Sequence, residues 1–154
     1  HTVMTRTTNE GIYDSDAKTI AEKKRSDMRK RRDIQSSAGA DLFVSIHMNL
    51  FEQSKYHGAQ VVYDGKNEEA KRLAECIQSA LKEGVDPSNE RQAMKAGSGI
   101  YLLKNAPIPS VIVECGFLSN REEAARLQQE DYQKTLAAVI AAGYLRWMAG
   151  EDRK

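Results

Sequence analysis

The sequence predicts an α/β fold: a single domain with a central, mostly parallel twisted sheet flanked by helices. Short apolar runs alternate with segments of helical periodicity, which is the order such folds require. The chain has 154 residues, the size that one core serves. Hydrophobic residues make up 40% and charged residues 29%, enough apolar surface for a packed core and too mixed a pattern for a disordered chain. The 23 basic and 22 acidic residues leave a net charge of +1, so no global field draws in nucleic acid or a membrane. No apolar run approaches the roughly 20 residues of a membrane span, and residues 1–25 lack the apolar stretch of a signal peptide. Two cysteines, Cys76 and Cys115, are too few for a disulfide scaffold.

The elements follow in order. His1–Thr5 is β-rich and starts without a polar lead-in, as if the sequence opens inside a strand. From Asp16 to about Gln35 the composition is helical and basic, with Ile20, Met28 and Ile34 as a narrow apolar stripe. Asp41–Ile46 reads as a strand covered on both faces, and Ala59–Tyr63 as a second strand stopped by Asp64-Gly65. Between Glu68 and Glu83, apolar residues recur at three-and-four spacing, and Gly84 ends the helix. Val85–Ser98 is a long polar connection and a candidate functional loop. Gly99–Leu103 and Ser110–Glu114 read as strands. Ser119-Asn120 with Glu122 and Glu123 marks a capping box and a short helix. A last helix, about Tyr132 to Met148, carries Tyr132, Leu136, Val139, Ile140, Gly143, Tyr144 and Trp147 on one face.

Polar residues at the ends of the two most apolar strands stand where α/β folds place ligand sites. Period-two alternation puts Ser45, His47 and Asn49 on one face. Glu114 follows three β-branched residues, where a carboxylate is costly unless it is paired, hydrogen-bonded or facing a wet cleft. It suits a general acid or base, and equally a salt bridge or a cap. His47 on these grounds is either a ligand or a structural histidine; His57, ten residues on, lies beyond metal-ligand spacing. If the strand continues through Cys115, that thiol points away from Glu114 and reads as a small buried hydrophobe rather than a nucleophile. Cys76 reads as helix packing. The cations from Lys23 to Arg32 are interrupted by Asp27 and interleaved with no aromatic, so a solvated face fits better than a nucleic-acid site.

Three motifs, Ser-Ile-His-Met-Asn (Ser45–Asn49), Gly-Ala-Gln-Val-Val-Tyr (Gly58–Tyr63) and Val-Glu-Cys-Gly-Phe-Leu-Ser-Asn (Val113–Asn120), together resemble the zinc-dependent N-acetylmuramoyl-L-alanine amidases of bacterial cell walls. The sporulation and germination-specific branch is most similar, in order and spacing, from Met4-Thr5-Arg6 through the final helix. The glutamate motif with its Gly-Phe-Leu-Ser-Asn tail is specific; the histidine motif alone is not.

The resemblance implies a peptidoglycan hydrolase that cleaves the amide between N-acetylmuramic acid and the first L-alanine of the stem peptide. His47 matches a zinc ligand, Glu114 the catalytic glutamate, and Asn49 a residue that positions substrate or supports the ligands. The family's other two zinc ligands, a histidine in a glycine-rich turn and a glutamate from the next helix, precede the equivalent of His1, and neither motif occurs here. Residues 1–154 are therefore expected to be the C-terminal portion of one catalytic domain, without the family's first strand and helix. One Zn2+ with its remaining ligands upstream of His1 is expected, and the chain by itself is expected to be inactive. The resemblance also implies action on the exported side of the membrane, at the cell wall or spore cortex, and leaves a helper protein unidentified. The competing readings are a catalytically dead module that binds peptidoglycan or a partner, and a cysteine-dependent hydrolase.

Overall fold

Ser110–Phe117 is a run dominated by β-branched and aromatic residues, and the two faces it presents set up the rest of the molecule. In the computed structural model, which describes residues 1–150, it forms β4. The other elements are α1 (Ile20–Ser37), β1 (Phe43–Asn49), β2 (Gln60–Tyr63), α2 (Glu68–Gly84), β3 (Met94–Lys95), α3 (Arg121–Leu127) and α4 (Glu130–Ala149). The sheet order is β1-β4-β2-β3. The β1/β4 and β2/β3 pairings are parallel and β2/β4 is antiparallel, so the sheet is mixed but mostly parallel, as expected.

Val111, Val113 and Cys115 face a core completed by Val61 and Tyr63 of β2, Leu73, Ile77 and Leu81 of α2, and Leu136 and Ile140 of α4. The alternate residues Ser110, Ile112 and Glu114 face the other way. There α1 is tied on by Gln35, whose Nε2 donates to Ser110 Oγ at 2.7 Å. Helices α2 and α4 cross closely because position 143 is glycine: a Cβ there would lie 2.6 Å from the Ile77 Cα.

Several elements differ from the sequence reading. His1–Thr5 forms no strand, and Val3 and Met4 are exposed. Helix α1 begins at Ile20 instead of Asp16, because Thr19 and Glu22 form a reciprocal capping box: Glu22 N donates to Thr19 Oγ1 at 3.2 Å and Thr19 N to Glu22 Oε2 at 2.9 Å. Its buried residues are Ser26, Asp27 and Gln35, whereas Ile20 is 86% exposed. The expected apolar stripe is thus a polar one. Strand β1 lies at the sheet edge and is not covered on both faces; Ile46 and Met48 are exposed.

Gly99–Leu103 is a turn, not a strand. Leu103 N and Lys104 N both donate to Ile100 O, Leu102 and Leu103 are buried, and Arg32 donates to the carbonyls of Tyr101, Lys104 and Asn105. A short apolar run plugs a core as well as a strand does, and periodicity does not separate the two. The long connection after α2 contains the two-residue β3, and β4 runs three residues beyond Glu114. On α4, Leu136, Ile140 and Gly143 are buried while Tyr132, Val139, Tyr144 and Trp147 are only partly so.

The segment before α1 is held by polar bonds. Asp27 Oδ2 accepts from Ile12 N at 2.8 Å, Arg31 pairs with Asp27, Arg31 Nη1 donates to Thr5 Oγ1 at 2.9 Å, and Asp14 N donates to Ser26 Oγ at 3.1 Å. Burial pushes the Asp27 carboxyl up, but the Arg31 hydrogen bond and the Ile12 N–H outweigh it and hold the carboxyl below its usual range.

A depressed folded-state pKa contributes stability that is present above the unfolded value of about 3.9 and is lost as pH falls through the folded value. Asp27→Asn is expected to lower stability by about 1–3 kcal/mol at pH 7, the range for charge-assisted bonds. The gap to the parent protein should close below about pH 4 in denaturant titrations run across pH. Gly143→Ala should cost a net ~1–2 kcal/mol, because overpacking against the α2 backbone exceeds alanine's helical advantage; a lowered thermal midpoint would show it.

Candidate active site

Strands β1 and β4 run parallel with His47 opposite Glu114, so both side chains leave the same face one strand spacing apart. His47 Nδ1 lies 2.7 Å from Glu114 Oε2, across 67 residues of sequence. The histidine side chain is 60% exposed and the glutamate 17%, so the carboxylate is rooted in the fold and the imidazole stands at its open side. Two expected site residues are therefore brought together.

Asn49 stands differently. The register shifts between His47 and Asn49, and Asn49 pairs with Phe117, its carbonyl accepting from Leu118 N at 2.8 Å. The shared face expected for Ser45, His47 and Asn49 depends on regular alternation, which this shift interrupts.

The end of β4 is fixed by a buried carboxylate. Glu123 accepts from Phe117 N at 2.8 Å and Gly58 N at 2.9 Å, clamping the strand that carries Glu114 to the start of β2. Asn120 caps α3 by accepting from Glu122 N and Glu123 N, and its Nδ2 donates to Ser54 O at 3.1 Å. The expected capping box is thus only half formed, because Glu123 turns to the strands instead of back to the cap. Gly58 itself has a φ of +90°, and a Cβ there would lie 2.6 Å from Asn89 Oδ1.

Gln60 was missed by the sequence reading. It pairs directly with Glu114 across β2/β4, so His47, Glu114 and Gln60 form one polar row across three strands. Its Oε1 accepts from Arg91 Nη1 at 3.0 Å and its Nε2 donates to Gln92 O at 2.9 Å. The period-two pattern of Gln60–Tyr63, with a polar residue on the face opposite Val61, held the signal. Elsewhere, the α1 cations are largely engaged: Arg29 and Lys30 with Asp14, Arg31 with Asp27, and Arg32 with carbonyls.

Imidazole nitrogen and carboxylate oxygen are donors that zinc takes, but a catalytic zinc takes three protein ligands. Among the described residues no three His, Cys, Asp or Glu side chains gather. His47 and Glu114 fit the donor chemistry of such a centre, and by themselves fall short of its donor number.

Cys115 belongs to the opposite face, packed in the core among α2 and α4. Burial, reinforced by the neighbouring Glu114 charge, pushes its thiol up to about 11. Below that pH the thiol stays protonated, which argues against the cysteine-dependent reading. Native protein at pH 7 should react slowly with iodoacetamide at both Cys115 and the buried Cys76, and both should react rapidly after denaturation, as read by mass spectrometry.

A family model described as N-acetylmuramoyl-L-alanine amidase matches residues 1–146. The germination-specific N-acetylmuramoyl-L-alanine amidase of Bacillus subtilis is 34% identical over 145 residues, covering 94% of this chain and 60% of the relative. The amidase LytC of the same organism is 36% identical over 118 residues, covering 75% of this chain and 23% of the relative. The chain thus spans less than two thirds of the length of these relatives. Among solved structures, the CwlD amidase of Clostridioides difficile, determined in complex with the GerS lipoprotein, superposes with a TM-score of 0.91 at 41% identity, covering 96% of this chain and 75% of that one. Similarity over 146 residues of sequence and over the whole sheet architecture leads to one assignment: the chain belongs to the N-acetylmuramoyl-L-alanine amidase family.

Proposed function

We propose that the His47–Glu114 pair serves hydrolysis of the peptidoglycan amide between N-acetylmuramic acid and the L-alanine of the stem peptide, in cell-wall or spore-cortex remodelling outside the cytoplasmic membrane. The observation that carries this reading is the 2.7 Å approach of His47 Nδ1 and Glu114 Oε2 at the mouth of the sheet, in a chain of the amidase family. An amide resists water because its carbonyl is a poor electrophile and its amine a poor leaving group. Glu114, rooted in the fold yet open on one side, takes the proton from the attacking water and returns it to the departing alanine nitrogen. A single zinc ion, when bound, supplies charge at the carbonyl oxygen and lowers the pKa of a bound water.

His47 is the nitrogen donor this chain offers such an ion, with further donors drawn from the complete domain in place of a third residue here. Asn49, which ends β1 two residues after His47 and beyond the register shift, is proposed to position substrate or support the ligands. A lipoprotein partner is a further part of the proposal, by analogy with the complex of the CwlD amidase with GerS. No helix among the described residues is long and apolar enough to cross a membrane.

The two-donor count favours one alternative, a module that recognises peptidoglycan without cleaving it. Digestion of purified muropeptides with the full-length protein separates the two. Release of stem peptides with a free alanine amine, lost to a chelator and restored by added zinc, is the expected result. Glu114→Ala should cut turnover by roughly 10²–10⁴-fold, the usual share of an acid–base group. Undiminished turnover in that variant would remove Glu114 from the mechanism, and binding without any release would favour the recognition module.

A further inference from the structure

The polar row does not stop at Gln60. Arg91 continues it from the loop after α2, and its guanidinium is held only by neutral groups. Nη1 donates to Gln60 Oε1 at 3.0 Å, Nε donates to His57 O at 2.7 Å, and the guanidinium carbon stands 4.6 Å from the centre of the Phe117 ring. Its backbone N donates to Asn89 Oδ1 at 3.0 Å, and Asn89, almost fully buried, donates from Nδ2 to Ala59 O at 2.8 Å. The loop is therefore anchored where it delivers this side chain.

Among the described residues Nη2 has no protein partner and no carboxylate lies within ion-pairing distance of Arg91. Arg29, Arg31, Arg72, Arg126 and Arg146 all have such carboxylates. Arg32 is also held by neutral groups, but its carbonyl partners consume both terminal nitrogens. A half-buried guanidinium that is oriented, stacked and short of a counter-ion is suited to take a carboxylate from outside the protein. An open cavity of about 540 Å³ adjoins it, lined also by Lys55, Tyr56, His57, Ser88, Asn89 and the carboxylate-bearing Glu90.

We infer that Arg91, oriented by Gln60, is a specificity residue that binds a free carboxylate of the stem peptide. This rests on the function proposed above and names which part of the substrate the row recognises. Two strand spacings, about 10 Å, cover the row from His47 through Glu114 to Gln60, which is about three residues of extended peptide. The anchored carboxylate therefore lies within the first three stem residues. Chemistry alone leaves two sources, the α-carboxylate of the second residue and a carboxylate of the third.

The test needs no turnover. Binding of the stem tripeptide L-alanyl-γ-D-glutamyl-meso-diaminopimelate to the full-length protein is measured by calorimetry, against the same peptide amidated at residue 2 or at residue 3. Amidation at one of these positions should weaken binding to the unmodified protein roughly tenfold to hundredfold, the range for a charge-assisted hydrogen bond, and identifies the source. Arg91→Gln should bind all three peptides within about twofold of one another, and Arg91→Lys, which keeps the charge and loses the planar fork, should retain part of the preference.

A purely structural Arg91 would lower the thermal midpoint while leaving the preference intact. Equal sensitivity to amidation in the unmodified and Arg91→Gln proteins, no sensitivity at either position, or no binding of the tripeptide would overturn the assignment. If Arg91→Gln does not fold, an amidation preference unchanged in Arg91→Lys overturns it. Failure of the amidase reading would show separately, as intact muropeptides despite a preserved binding preference.

Discussion

The site depends on one register. β1 and β4 are neighbours in space and far apart in sequence, and only their parallel alignment with His47 opposite Glu114 lets an imidazole nitrogen and a carboxylate oxygen approach to 2.7 Å. Side chains in a sheet alternate with period two, so a slip of one residue would turn either group into the α2/α4 core. That core resists the slip: Val111, Val113 and Cys115 are all buried on the far face, and exchanging faces would bury Ser110 and Glu114 among Leu73, Ile77 and Ile140. The apolar face of β4 thus enforces the chemistry of its polar face.

Around this pair, buried polar groups do the positioning. Glu123 accepts backbone N–H groups from both β2 and β4 and so closes the end of the sheet nearest the site. A buried carboxylate is tolerated there because two orphan donors satisfy it. Gln78 acts similarly within the core, accepting from Val61 N at 2.9 Å and donating to Ala59 O at 3.2 Å. Asn89 and Gly58 then set the loop that carries Arg91, glycine being needed where the positive φ and the close Asn89 amide leave no room for a side chain. Residues of one sequence stretch thus divide: Glu114 stands on the polar face beside His47, while Asn120 and Glu123 hold the scaffold at the end of the strand.

The electrostatics separate along the same lines. Arg29, Lys30, Arg31 and Arg32 of α1 bind Asp14, Asp27 and the carbonyls of the 101–105 turn, which fastens the N-terminal segment and that turn to one helix. Arg91, on the opposite flank of the polar row, has no such partner. A balanced net charge therefore conceals an uneven local distribution, in which a guanidinium without a carboxylate partner among the described residues stands next to the row containing His47 and Glu114.

Much of this was written locally. The three-and-four spacing of α2, the Asp64-Gly65 stop after β2 and the β-branched run of β4 were legible because each depends on residues within a turn or a strand of one another. His47 and Glu114 stood out because polar residues ending apolar strands are costly without a purpose. Gly99–Leu103 misled, since burying leucines needs only a cavity and not a strand, and α1 misled because its buried face is polar. The sequence by itself determined the fold class, the helices, the strands β1, β2 and β4, and the chemical types at the site. Only the tertiary structure decided that His47 meets Glu114, that Gln60 and Arg91 extend their row, and that Glu123 clamps strands instead of capping a helix. Helical and strand periodicities are properties of near neighbours, whereas register, edge position and hydrogen-bond partners are chosen by residues tens of positions away that compete for the same core.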